Sequence, residues 1–419
     1  MTGVKKLSVY RDNELMGTLL DEKPIKFMYD SEWRKNHRES ISPNINISQE
    51  THSGDLVESY FENLLPEAGI RDLLKLKYQV TSTFGLLGSI GGDTASDLTI
   101  LSEGESPKPP KYKLITWQDI ADLFTHQQGL IRDIQEEEGI RISLAGAQRK
   151  LSICIDKDGN PLLPLESSPS TYIVKPDILG VEGVWASAIN ETMVMSLAAR
   201  LGIGVAQVDY QTVAKACIIK RYDRLLQNNG VIKRIHQLDL CQLDGKPSST
   251  KYESDFGPTL LRCRELLSEN GFIAADTKRF IQWIFFNLCV GNNDSHAKNI
   301  SIYFTPNQGV RLTPFYDLIS TSLYPGLSRN FAFNVGGESK PADIKKEQII
   351  AMAISMGFKP QYIIKIAEDI SNNILKHLDS VSDEINIIAS VGTEKTMIER
   401  LNQHISSNTK SFQKRLFKN

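Results

Sequence analysis

The chain has 419 residues, 41% hydrophobic and 23% charged, with a formal net charge of -2. This is the composition of an ordinary globular protein of two or three domains, long enough to bury large cores. Near-neutral charge argues against a dominant nucleic-acid surface, and no apolar run approaches the ~20 residues that cross a bilayer.

Cys154, Cys217, Cys241, Cys263 and Cys289 are scattered and form no CxxC pair. They point to a reduced, cytoplasmic compartment and away from a zinc site. The first residues lack the apolar core of a secretion signal, and no membrane partner is expected.

Residues 4–29 alternate in the manner of a short strand meander, with Leu7, Val9, Met16, Leu19, Ile25 and Phe27 among the apolar positions. Apolar spacing turns helical over 55–65 and again over 70–78, with Asp55 or Ser53 as a candidate cap and Pro66 as a stop. The glycine-rich stretch 84–97 leads to a strand at 98–101. Its Gly91-Gly92 pair is read as a tight turn packing helix against strand, since no Lys or GKS/T follows. Residues 104–111 carry three prolines and form a linker. A helix is expected over 117–130, then a solvated acidic run at Glu136-Glu137-Glu138.

From Arg141 the pattern becomes strand, small-residue turn, strand. A further strand at 172–176 carries Lys175, and a long amphipathic helix over 185–201 carries Glu191. Strands follow at 205–210 and 217–222. Beyond 256–258 helices dominate, at 259–269, 277–290, 346–356, 360–378 and 393–418. The expected fold class is α+β: a protein-kinase-like two-lobed fold with an extra N-terminal α/β subdomain and a helical C-lobe. The expected parts are residues 1–135, a sheet-plus-helix lobe at 136–235, and a helical lobe at 236–419.

The chemistry concentrates between Phe285 and Asp317. An apolar run stops at Gly291 and gives way to Asn292, Asn293, Asp294, His296, Lys298 and Asn299. Asp294 and Asn299 lie five positions apart, the spacing by which a kinase catalytic loop places an Asp on the substrate hydroxyl and an Asn on Mg²⁺. Asp317 follows at a hairpin's distance, where kinases carry a second Mg²⁺ ligand, although neither HRD nor DFG is present. Taken singly, Asp294 and Asn299 are better explained as caps of a turn and Asp317 as a helix cap; it is the set together with Lys175 that favours the kinase reading.

Lys175 and Glu191, sixteen positions apart, suit the ion pair that holds a kinase Lys against the nucleotide's phosphates. A snorkelling Lys and a surface Glu would give the same pattern. Residues 143–150 are small and mobile in character, as in a loop that covers phosphates, with Gly146 allowing close backbone approach. Lys220, Arg221 and Tyr222 end the last strand of the sheet lobe, where an aromatic could lie against adenine. A core Tyr with a surface salt bridge is the other reading.

SLAGAQRKLS, YIVKPD, KRYDR, RIHQLDLCQ, GNNDSHAKNIS and LTPFYDLIS, with YFENLLPE and the Gly91–Asp93 turn upstream, occur in an order that resembles the HipA-type Ser/Thr kinase toxins. The resemblance covers nearly the whole chain. It implies that Asp294 is the catalytic base and that Asn299 and Asp317 bind Mg²⁺. Lys175, Ala145, Gly146, Ala147, Gln148, Arg149, Lys150, Lys220, Arg221, Tyr222, His296 and Lys298 would bind ATP. Ser143 would be the autophosphorylated serine, whose ~2 negative charges would expel the loop and silence the enzyme. The implied partners are a HipB-like helix-turn-helix antitoxin dimer, operator DNA through that dimer, and an aminoacyl-tRNA synthetase such as glutamyl-tRNA synthetase as substrate. Two departures stand out: Leu238 where the family often has Glu, and Arg149 where Pro or Glu is frequent. Two other functions fit the same residues less fully. A catalytically dispensable co-repressor would not need the Asp294–Asn299–Asp317–Lys175 set. A small-molecule phosphotransferase would leave the first ~135 residues, one domain's worth, without a role.

Overall fold

The computed structural model describes residues 5–125, 148–305 and 308–417. The chain forms two compact units. Met1–Val174, Arg221–Ser249 and Tyr303–Thr305 make the first; Lys175–Lys220, Thr250–Ile302 and Pro306–Asn419 make the second.

The first unit opens on a five-stranded antiparallel sheet in the order Thr51–Ser53, Lys26–Tyr29, Glu14–Leu20, Lys6–Arg11, Leu98–Ser102. Alternation sends Leu7, Val9, Leu19 and Phe27 inward, and Met16, the extra residue where the pairing register shifts opposite Val9 and Tyr10, is buried as well. Helices Asp55–Glu62, Ala68–Tyr78 and Thr83–Ile90 follow Thr51–Ser53 in the chain. Tyr60, Phe61, Leu86, Leu87 and Ile90 bury their side chains in this half of the unit.

One expectation is met here and one is not. Helix Thr83–Ile90 forms despite Gly85 and Gly88 and ends at Gly91, so the expected turn between helix and strand is present. Ser82 caps it by accepting the Gly85 N–H at 3.1 Å, and a Cβ on Gly88 would lie 3.2 Å from Leu7, so the glycine permits close packing on the sheet. The Gly91 turn is sterically demanding: a Cβ there would stand 2.5 Å from the Leu87 carbonyl oxygen and 2.7 Å from Ile100. Asp55–Glu62 is preceded by Gly54, which makes no side-chain cap bond, so neither expected capping residue acts.

The same unit holds Lys111–Leu114, Pro161–Leu165, Leu151–Ile155 and the first residues of Tyr172–Pro176 as antiparallel neighbours. The first of these strands directly follows the proline-rich linker and is too polar to be read from the sequence.

Asp93, immediately after the Gly91-Gly92 turn, is the centre of a buried ionic cluster. It meets Arg221 at 3.3 Å and Arg224 at 2.9 Å, and it accepts the Ser170 hydroxyl at 2.6 Å. Asp223 completes the cluster, at 2.8 Å from Arg221 and 2.7 Å from Arg224. Burial opposes charge on Asp93, but the Arg221, Arg224 and Arg234 guanidiniums outweigh it and hold the carboxyl well below the usual carboxylate range.

The second unit is mainly helical. Ala274–Val290 is buried almost all round, with Phe280, Ile281, Trp283, Ile284, Phe285 and Phe286 fully covered. Pro360–Ile388 and Gly392–Phe417 pack along each other and against Ser187–Arg200. Pro360–Ile388 runs past the expected end at 378 because Leu378, Val381, Ser382 and Ile385 continue its buried stripe. Leu260–Glu269, Lys346–Ser355 and the hairpin Val208–Gln211/Ala216–Lys220 complete the unit. Among the described residues, no helix is long and apolar enough to cross a membrane.

Candidate active site

Strand Tyr172–Pro176 ends by placing Lys175 inside the second unit, its side chain 7% exposed. Glu191, on helix Ser187–Arg200 and 2% exposed, receives its ammonium at 2.7 Å. Asp317 binds the same ammonium through Oδ1. Burial works against charge on Lys175, and the Asp317 and Glu191 carboxylates more than reverse it, so the ammonium persists well above the ordinary lysine pKa. The Asp317 side chain is 40% exposed, so this end of the triad opens to solvent.

Asp317 is itself held in an unusual state. Its φ is 60°, a left-handed conformation that costs a non-glycine residue energy. The neighbouring Ser320 is fixed from the same helix that carries Glu191: Asn190 accepts the Ser320 N–H at 2.9 Å and donates to its carbonyl at 3.1 Å.

Helix Ala274–Val290 ends at Gly291, whose φ of 73° turns the chain into the polar segment. There Asn292 is the organising side chain. Its amide donates to Asn287 Oδ1 at 2.8 Å and to the Asp317 carbonyl at 3.4 Å, while its Oδ1 accepts the Asp294 N–H at 3.2 Å. One buried amide therefore ties the backbones of Asp294 and Asp317. Asn299, on the short turn Ala297–Asn299, donates through Nδ2 to the Asp294 carbonyl at 3.1 Å, which leaves Oδ1 as its acceptor atom. The Asp294 carboxylate is exposed and receives the Tyr252 hydroxyl on Oδ1.

His296 is buried, and its Nδ1 has no hydrogen-bond partner among the described residues. Burial, then the nearby Lys251, keep this imidazole neutral, with a pKa well below the ordinary value. Lys298 is buried too, and its carbonyl accepts the Tyr316 hydroxyl at 2.7 Å.

The structure thus gathers Lys175, Glu191, Asp294, Asn299 and Asp317 on one hydrogen-bonded scaffold, with His296 and Lys298 in the same loop. Lys220 is exposed at the end of its strand. Gln148, Arg149 and Lys150 are half-buried and belong to the first unit. Tyr222 is also in the first unit and meets Tyr303 edge-on at 6.2 Å. Arg221 departs from expectation. Its guanidinium, 2% exposed, is committed to Asp93 and Asp223, so the side chain serves the buried cluster instead of meeting a nucleotide. Ser143, Ala145, Gly146 and Ala147 lie outside the described residues. Sequence reasoning assigned no role to Asn292, Asn190 or Tyr252.

The donor set bears on the metal question. Among the described residues no group of three His, Cys, Asp or Glu could enclose an ion. One carboxylate, Asp317, and one amide oxygen, Asn299, are hard donors that suit a Mg²⁺ ion sharing its remaining positions with phosphates and water.

A strand Lys paired to a helix Glu, then an Asp and an Asn on one loop, then a further Asp, in this chain order, define a protein-kinase-like phosphotransferase. The HipA N-terminal domain model matches residues 7–101 and the HipA-like C-terminal domain model matches residues 142–378. The chain belongs to the HipA family, and it is an enzyme of the HipA-like Ser/Thr kinase toxin type. It is 31% identical to the putative kinase Y4mE of Sinorhizobium fredii, over 91% of this chain and 93% of that protein. It is 28% identical to the serine/threonine-protein kinase toxin HipA of Shewanella oneidensis, over 87% and 88% of the two chains. The fold matches Shewanella oneidensis HipA, solved with HipB and operator DNA, at a TM-score of 0.82, with 24% identity and 97% of each chain covered.

Proposed function

We propose that this protein transfers the γ-phosphate of ATP to a Ser or Thr hydroxyl of another protein, with Mg²⁺ as the required ion. The observation that carries the reading is the Asn292 amide, which binds the backbones of both Asp294 and Asp317 while Asp317 also grips Lys175. Asp294 orients the acceptor hydroxyl and accepts its proton; Lys175 sets a fixed positive charge against the phosphates. Asn299 and Asp317 would hold Mg²⁺, which supplies charge neutralisation between the phosphates when bound. Little covalent work is asked of the protein: positioning and electrostatics supply the rate.

In this reading Ala145, Gly146, Ala147, Gln148, Arg149, Lys150, Lys220, Tyr222, His296 and Lys298 contribute to ATP binding. Ser143 is the self-modified serine. Residues 1–135, 136–235 and 236–419 act as N-terminal subdomain, nucleotide lobe and catalytic lobe. The toxin works in the cytoplasm and is neutralised by a HipB-like antitoxin dimer, which carries it to operator DNA. Its substrate is an aminoacyl-tRNA synthetase, glutamyl-tRNA synthetase foremost, and modification halts translation.

The test is intact mass of the full-length protein, and of purified glutamyl-tRNA synthetase mixed with it, after incubation with ATP and Mg²⁺. Wild type should add phosphate to both, Asp294→Gln to neither, and Ser143→Ala should lose the self-modification alone. No added phosphate together with no ATP binding ends the kinase reading.

A further inference from the structure

The phenol of Tyr252 donates a hydrogen bond to Oδ1 of Asp294, from a segment 42 positions earlier in the chain. The backbone that delivers it is closely fixed. The Tyr252 carbonyl accepts the N–H groups of Asp255 at 3.0 Å and Gly257 at 2.9 Å. The carboxylate of Glu253 takes both the backbone and the side-chain N–H of Asn334, at 2.8 and 2.7 Å. The Lys251 carbonyl accepts the Ala297 N–H at 3.3 Å, which ties the segment to the loop of Asp294 itself. A Cβ on Gly257 would stand 2.3 Å from the Thr250 carbonyl oxygen and 2.6 Å from that of Tyr252, so the turn closes only with glycine. The Tyr252 ring also rests edge-on against the buried His296 imidazole, centroids 5.1 Å apart.

A side chain held from both its backbone and its ring, and aimed at an exposed carboxylate, is built to restrict that carboxylate. We propose that Tyr252 is a positioning residue for phosphotransfer. Its hydroxyl holds the Asp294 carboxylate in one rotamer, so that the acceptor hydroxyl meets it in a single orientation. The inference rests on the kinase reading with Asp294 as the base. A charge-assisted O–H···O⁻ bond is among the stronger hydrogen bonds available. Small displacements of a reacting group from its productive geometry cost rate steeply. Nothing in this role touches ATP, so nucleotide affinity should not depend on it.

The experiment compares full-length wild type, Tyr252→Phe, Asp294→Asn and the double variant. Self-phosphorylation rates are read by intact mass against ATP–Mg²⁺ concentration, and ATP affinity by calorimetry. Tyr252→Phe should lower the maximal rate about ten- to a hundredfold, with the half-saturating ATP concentration and the calorimetric affinity unchanged. Asp294→Asn and the double variant should transfer no phosphate and set the zero of the assay. An unchanged maximal rate overturns the proposal. So does a raised rate, which would mean that the phenol blocks the acceptor's place. A loss of ATP affinity in parallel with rate would reduce Tyr252 to a structural part and overturn it as well. A wild-type chain that transfers no phosphate defeats the kinase reading itself, a result separate from an active wild type that Tyr252→Phe leaves unaltered.

Discussion

Asn292 accepts the Asp294 N–H through a side-chain amide whose other end reaches the Asp317 carbonyl. The two acidic residues of the site are thus registered through backbone, while their carboxylates meet Lys175 and Tyr252. Asn292→Ala would strand buried partners at Asn287, Asp294 and Asp317. It should cost ~1–3 kcal/mol of stability and lower the phosphotransfer rate more than tenfold. Denaturant melts and initial rates on the same preparation check both.

Lys175 is the next test. Lys175→Met leaves Glu191 buried without its cation, which should cost ~3–5 kcal/mol and abolish detectable transfer. Glu191→Gln keeps the shape and removes one of two anionic partners, so it should weaken ATP binding less severely. The pH behaviour follows from the raised lysine pKa. Stability from a raised group is fully present below its unfolded value, ~10.4, and is lost only as pH rises through the higher folded value. This cluster should therefore leave stability flat between about pH 6 and 9, as denaturant melts across that range would record.

Asp93 behaves in the opposite sense. Its folded pKa is depressed by Arg221, Arg224 and Arg234 against the effect of burial. Its contribution is present above the unfolded value of ~3.9 and disappears as pH falls through the folded one. The wild-type protein should therefore lose stability steeply below about pH 4. Asp93→Asn should lower stability at neutral pH by ~3 kcal/mol and flatten that acid limb. Urea titrations at neutral and acid pH make the comparison.

Gly291 is needed twice over. Its φ of 73° disfavours any side chain, and an added Cβ would lie 1.9 Å from Ser322 Oγ. Gly291→Ala should destabilise by ~2 kcal/mol or more. Adding Ser322→Ala relieves the collision and leaves the backbone strain, so it should restore part of the loss. Thermal melts of the single and double variants decide it.

The site was legible where its chemistry is local. Asp294 and Asn299 share one short loop, and Lys175 and Glu191 sit on consecutive elements, so spacing alone suggested their partnership. Tyr252 and Asn292 carried no such signal: a tyrosine before a glutamate and an asparagine among asparagines gain meaning only through tertiary contacts. Arg221 shows the converse. Its neighbours on the strand suggested a nucleotide edge, but its partner Asp93 lies 128 positions upstream, and the buried carboxylate claims the side chain. In the fold, the strongly periodic helices were visible. The helix before the Gly91-Gly92 turn was implied, although its glycines hid its bounds at Thr83–Ile90, and Lys111–Leu114 was hidden by a polar composition that pairing with Pro161–Leu165 overrides.

The course of the backbone has its own consequence for synthesis. The unit that begins at residue 1 takes its last residues from Tyr303–Thr305, after the chain has twice left it to build the other. A ribosome must therefore deliver most of the polypeptide before that unit has all its strands. Chains terminated before Tyr303 would carry no finished unit, and no gene fragment cut at a single point encodes either unit alone.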